Sequence, residues 1–117
     1  MEKALDFRLK KEKDFSKVFK NGKRFFSKSL TLIALKSNQL KAGFVVGKKH
    51  GKSVIRNRIK RLLRESFRSF VPNLSQNFFF VFLPKTEEEY SLQKFKLDME
   101  YLFKKGKFFI NAEINID

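Results

Sequence analysis

The amino-acid sequence predicts one α/β domain with the element order αβββαβα, and three observations carry that reading. Apolar residues recur at helical spacing in three stretches, and short runs rich in Phe, Leu and Ile, bounded by turn residues, lie between them. The length of 117 residues suits a single core, and 42% hydrophobic residues, including sixteen Phe, supply enough apolar surface to offset the entropy of ordering. No repeat or Gly-, Ser- or Pro-rich linker divides the chain. Residues 1–117 are therefore read as one domain, with 1–11 and 105–117 as flexible ends.

The elements follow in order. Phe15, Val18 and Phe19 stand at i, i+3 and i+4, and Asn21-Gly22 offers a left-handed stop, so a short helix is expected over 12–20. Residues 24–27 and 30–35 read as strands, Ser37-Asn38-Gln39 as a turn and 43–47 as a third strand, a succession that suggests a meander. A longer helix is expected from an N-cap at Ser53 to about Phe70, because Pro72 disfavours helix at Val71. Within it Ile55, Ile59, Leu62, Leu63, Ser66, Phe67 and Phe70 share one arc of roughly 140°, which defines a core stripe. The apolar run 78–83 has the mark of a strand covered on both faces, hence central. The acidic Glu87-Glu88-Glu89 turn suits the start of a last helix over 91–103, where Leu92, Phe95, Met99, Leu102 and Phe103 keep helical spacing. Beyond it, Phe108, Phe109, Ile110, Ile114 and Ile116 fit either a loose tail or a short added strand.

Charge narrows the function. Lys and Arg number 27 against 12 Asp and Glu, a formal +15. Repulsion on that scale works against a compact state, so a polyanionic partner is expected, with nucleic acid favoured over an anionic membrane surface. The absence of Cys excludes disulfides, thiolate nucleophiles and Cys-ligated zinc. A lone histidine, His50, cannot build a His-based metal cluster or a Ser-His-Asp triad, and it is read as a hinge or a phosphate contact. Neither a catalytic residue nor a metal site is expected in the protein. Gly43, Gly47 and Gly51 do not match the fingerprints of nucleotide-binding loops. The first eight residues lack the apolar centre of a secretory signal, and no apolar run approaches the ~20 residues that span a bilayer. A cytoplasmic location without a membrane partner is expected.

The strongest constellation is basic. Between residues 48 and 68, Lys48, Lys49, Lys52, Arg56, Arg58, Lys60, Arg61, Arg64 and Arg68 face a single acid, Glu65. A solvated helix face ordinarily mixes signs in i, i+4 pairs, whereas a one-sign array suits phosphates. Asn57, Lys60, Arg61, Arg64 and Arg68 gather opposite the core stripe, where forked guanidinium donors reach several phosphates without reading bases. Asn57 itself fits either a structural hydrogen bond near the helix start or an RNA contact. Phe15 and Phe19 fit either core packing or stacking of single-stranded bases.

These residues resemble the protein subunit of bacterial ribonuclease P. The likeness rests on Gly43, Val46, Lys48, Lys49, Gly51, Val54, Arg56-Asn57-Arg58, Lys60-Arg61, Arg64 and Glu65, and extends upstream through Arg8-Leu9-Lys10-Lys11, Asp14-Phe15, Val18-Phe19-Lys20 and Gly22. The resemblance implies a protein that works with a large catalytic RNA to remove the 5′ leader of precursor tRNA, the RNA holding the catalytic Mg2+ ions. No obligate protein partner is evident in the sequence. The fold implied is an α/β sandwich on a mixed four-stranded sheet, with a left-handed βαβ crossover around the basic helix, against the usual right hand. Arg56, Asn57, Arg58, Lys60, Arg61 and Arg64 would then lie against the catalytic RNA, with Lys48 and Lys49 adding phosphate contacts. The first helix and the sheet would form the leader cleft, with Phe15, Phe19 and Ile33 in it. At the position of Ile33 many relatives carry an aromatic or polar-tipped residue, and Gly47 replaces a small polar residue found in some. A ribosomal RNA-binding protein and a protein-only nuclease are the competing readings.

Overall fold

In the computed structural model, which describes residues 7–110, alternation along the strands sends apolar side chains to both faces of one sheet. The elements are α1 (Glu12–Asn21), β1 (Lys23–Phe26), β2 (Leu30–Lys36), β3 (Lys41–Phe44), α2 (Ser53–Arg68), β4 (Phe78–Pro84) and α3 (Leu92–Gly106), with short 3-10 turns at Lys48–His50 and Val71–Asn73. The sheet order is β1-β2-β4-β3; β1 and β4 each run antiparallel to β2, and β3 runs parallel to β4.

The expected meander therefore breaks at its third strand, because β4 inserts between β2 and β3. Apolar on both faces, β4 takes the interior position and pairs with β2 along its whole length, from Leu30↔Pro84 to Lys36↔Phe78. The shorter β3 is left at the margin. The resulting β3–α2–β4 connection joins two parallel neighbours, the unit to which the family's crossover refers.

On one face Leu30, Leu32, Ala34, Phe80 and Phe82 meet Ile59, Leu63 and Phe67 of α2 and Phe95, Met99, Leu102 and Phe103 of α3. Phe67 is the centre of this core. Its ring centroid lies 5.2 Å from that of Phe7, 6.0 Å from Phe44 and 5.8 Å from Phe82, in tilted or edge-to-face arrangements favoured by aromatic quadrupoles. On the other face Ile33, Phe79 and Val81 pack with Leu9 and with Val18 of α1, and Phe15, Leu35, Val45 and Leu83 form a half-buried margin. Helices thus cover both faces, as the sandwich requires.

Several boundaries differ from expectation. Gly22 is extended, φ −77° and ψ 159°, rather than left-handed. Glycine is needed there for space: a Cβ would stand 2.6 Å from both Ile33 Cγ2 and the Val18 carbonyl. Ser53 is the first residue of α2, and Lys52 caps it without a side-chain bond. The helix ends at Arg68, and the chain through Pro72 tightens into a 3-10 turn. Ile55, assigned to the core stripe, is exposed, because the first turn of α2 projects beyond the sheet core and Ile55 lines a cavity with His50 and the 87–90 segment instead. At α3, by contrast, Ser91 is a true N-cap, its hydroxyl accepting the Lys94 N–H at 3.1 Å.

The ends are partly built in. Residues 7–9 run along β3, with Ala42 N–H donating to Phe7 O at 2.7 Å and Leu9 N–H to Ala42 O at 2.9 Å, and both Phe7 and Leu9 are buried. Phe108 is in the core and Phe109 bridges Leu74, so the tail-or-strand alternatives resolve to a short bridge as far as Ile110. Ile114 and Ile116 lie outside the described residues. Replacing Phe67 with Ala should cost about 3–5 kcal/mol in urea unfolding, the range for a buried aromatic; a loss below about 1 kcal/mol would show that this ring does not organise the core.

Candidate nucleic-acid interface

Helical geometry makes α2 two-sided. Ile59, Leu63 and Phe67 are buried, whereas Asn57, Arg58, Arg61 and Arg68 are exposed and Arg56, Lys60 and Arg64 are half-buried. Lys48, Lys49 and Lys52 are exposed on the approach to the helix. Among the described residues, none of these cations forms a salt bridge; the ion pairs are Lys94–Glu87 and Lys104–Glu100, which involve α3. Glu65 is exposed on the same helix and forms no ion pair among the described residues, and Arg58, at the start of the helix, shares a cavity with Glu87, Glu88 and Glu89. From Lys60 to Arg68 the face is predominantly positive, and its charges are left for an external anion.

Two of its arginines are set by the fold. Arg56 Nε donates to Gly51 O at 3.0 Å, tying the helix to the turn that carries Lys48 and Lys49. Gly51 has φ +123°, a conformation that side-chain-bearing residues rarely adopt. Arg64 Nε is buried with no hydrogen-bond partner, so its donor capacity is unused within the protein. Asn57 is exposed and makes no hydrogen bond among the described residues, which removes the cap reading and leaves its amide open to a ligand.

His50 is buried and belongs to a different arrangement. Its Nδ1 lies 2.7 Å from the Tyr90 hydroxyl, which also accepts the Glu87 N–H at 3.0 Å. Burial, with Lys49 nearby, holds the imidazole below its ordinary value of 6.5. The side chain is a strut between the 48–50 turn and the 87–90 segment, not the hinge or phosphate contact expected.

The cleft lies on the other face of the sheet. Phe15 is half-buried and rests on Gly43, where a Cβ would stand 2.4 Å from Phe15 Cε1. Phe19 is 36% exposed, one turn along the same helix. Ile33 is fully buried beneath α1, against Gly22, and is therefore removed from the candidate contacts. β-sheet alternation turns it toward α1, whose backbone closes over it. One feature was missed from sequence: Arg8, Lys10, Lys11 and Lys41 line a cavity of about 190 Å³ with Asp14 and Phe79 near the start of α1. The basic run 8–11 was visible, but only the bridge to β3 brings Lys41 beside it. Among the described residues, no cluster of His, Asp or Glu is arranged to hold a metal ion.

The family model for ribonuclease P matches residues 4–107. The chain belongs to the ribonuclease P protein family. It is 33% identical over 109 residues to the ribonuclease P protein component of Lactococcus lactis subsp. lactis, covering 92% of this chain and 93% of the relative. With the component from Natranaerobius thermophilus it shares 39% identity over 102 residues, covering 85% and 89%. The solved ribonuclease P protein of Thermotoga maritima superposes with a TM-score of 0.75 at 28% identity, over 84% of this chain and 96% of that one. The Staphylococcus aureus protein gives 0.79 at 23% identity, over 90% and 99%, a likeness of fold. As a ribonuclease P protein component the chain is the accessory subunit of an RNA–protein endoribonuclease whose role is tRNA 5′ leader processing, and its partner is the ribonuclease P RNA.

The strut at His50 makes a sign-specific prediction. A depressed imidazole means that the unfolded chain binds the extra proton first, so this contribution is present above about pH 6.5 and is lost as the pH falls through the lower, folded value. His50→Gln should flatten the fall in Tm between neutral and mildly acidic pH; an unchanged slope would remove the strut from the account.

Proposed function

We propose that the Arg56–Arg68 face of α2, with Lys48, Lys49 and Lys52, lies along the catalytic RNA, while the cleft between α1 and the sheet grips the 5′ leader of precursor tRNA. The observation that supports this most directly is the predominantly positive side of α2 opposite its core stripe, whose cations form no salt bridge among the described residues. Phosphate contacts from that surface fix position without reading sequence. In the cleft, Phe19 offers a ring for stacking, and the cavity lined by Arg8, Lys10, Lys11 and Lys41 at the start of α1 offers cations.

The functional effect is differential binding. A leader is attached only before cleavage, so contacts to it strengthen binding of precursor over product and favour release once the bond is cut. The phosphodiester chemistry belongs to the RNA and its Mg2+ ions, and the protein lends positive charge that lowers the Mg2+ needed to fold and hold that RNA. This work takes place in the cytoplasm. Adding the protein to a bacterial catalytic RNA at low Mg2+ should restore leader removal. Cleavage by protein freed of all RNA would contradict the reading.

Arg61→Ala and Arg64→Ala should each weaken binding to the catalytic RNA and lower the slope of log affinity against log salt by about 0.7–0.9 per lost phosphate contact. Their Tm should stay near that of the parent chain. Affinity and slope unchanged in both would place the RNA elsewhere. Phe19→Ala should narrow the affinity gap between long-leader and leaderless tRNA in the presence of the RNA subunit, by about fivefold or more for one lost stack. Phe15→Ala also removes packing over Gly43, so for it a loss of stability is expected alongside.

A further inference from the structure

A groove of about 330 Å³ at the β1 edge of the sheet belongs to neither surface described above, and Phe26, Ser27, Lys28, Asp98 and Tyr101 line it. In the order β1-β2-β4-β3 this edge is the one farthest from β3. Phe26 ends β1 and is 56% exposed; Tyr101, on the outer side of α3, is 51% exposed. Neither ring is held by the core. Large aromatics left this open on the lining of one groove are the kind of apolar surface that marks a binding site.

The floor and rim add polarity. Asp98 Oδ2 accepts both the Ser29 N–H, at 2.9 Å, and the Ser29 hydroxyl, whereas Oδ1 has no hydrogen-bond partner among the described residues. That anchoring fixes the carboxylate and leaves its second oxygen as an acceptor. Lys28 is exposed at the rim, and Lys105 Nζ stands 5.6 Å from the centroid of the Tyr101 ring. Lys85 Nζ bonds Ser27 O at 2.8 Å and adds a third cation.

Flat apolar walls, one acceptor and a cationic rim are the features that bind a nucleotide. We propose that this groove is a second single-stranded RNA site, which takes one unpaired base bearing an exocyclic amino group against Phe26 and Tyr101. Asp98 Oδ1 accepts from that amino group, as carboxylates do from the cytosine amine, and Lys28 and Lys105 meet the flanking phosphates. Charge selects RNA over a second copy of the chain, because two copies would each bring a formal +15 to the contact.

The test uses the full chain carrying Arg61→Ala and Phe19→Ala, so that the surfaces proposed above contribute least, and measures binding of labelled short oligocytidylate and oligouridylate. Oligocytidylate should bind more tightly. Adding Tyr101→Ala or Phe26→Ala should weaken it about tenfold, within the range of one base–aromatic stack, and Tyr101→Phe should retain it. Equal affinity for the two oligomers would overturn the role of Asp98. Unchanged affinity in both alanine variants would overturn the site, as would concentration-dependent dimerisation in sedimentation that Tyr101→Ala abolishes.

Discussion

The molecule depends on a single helix being held firmly on one side while its other side stays uncompensated. Along α2, Arg56, Lys60, Arg64 and Arg68 follow one another at i, i+4 spacing, and like charges so placed destabilise an isolated helix by about 0.2–0.5 kcal/mol per pair. Burying one large apolar side chain contributes about 1.5–3 kcal/mol, and α2 buries Ile59, Leu63 and Phe67. Packing therefore outweighs repulsion with room to spare. The cations need no acidic neighbours to keep the helix folded, which is why they remain available to an external anion.

The same logic explains the sheet. Because β4 carries apolar residues on both faces, it can serve two cores at once, Phe80 and Phe82 toward α2 and α3, Phe79 and Val81 toward α1. A single central strand thus fixes the basic helix and the cleft relative to each other across the thickness of the sheet. The two surfaces lie on opposite faces of the sheet and are joined through rigid backbone. Gly22 and Gly43 mark where α1 comes closest to that sheet, and at both a methyl group would collide with a neighbouring side chain.

Much of this was legible in the sequence, for definite reasons. The seven elements and the two sides of α2 follow from periodicity, since buried stripes leave a local pattern. The polyanion partner follows from net charge, and the family from a long ordered motif. What stayed hidden was non-local. The place of β3 depends on which strand is more apolar on both faces, so sequence order suggested a meander that β4 interrupts. Gly22 reads as a left-handed stop, yet its role is clearance for Ile33, a residue eleven positions on. Ile33 reads as a cleft residue by position in the family, and only the packing of α1 reveals that it is covered. His50 reads as a hinge or a phosphate contact among lysines, but its partner Tyr90 lies forty residues away.

If the outward side of α2 meets the catalytic RNA, radicals released from that side must reach it. Because the chain contains no cysteine, Asn57→Cys provides a unique attachment point for an iron chelate on that face, and Asn77→Cys provides one that is exposed just before β4, at the opposite end of that strand from the 87–90 segment. In the assembled complex, hydroxyl radicals released from position 57 should cut the catalytic RNA at a few clustered nucleotides, and those released from position 77 should cut it weakly. Strong, localised cutting from position 77 with none from position 57 would show that the RNA lies elsewhere.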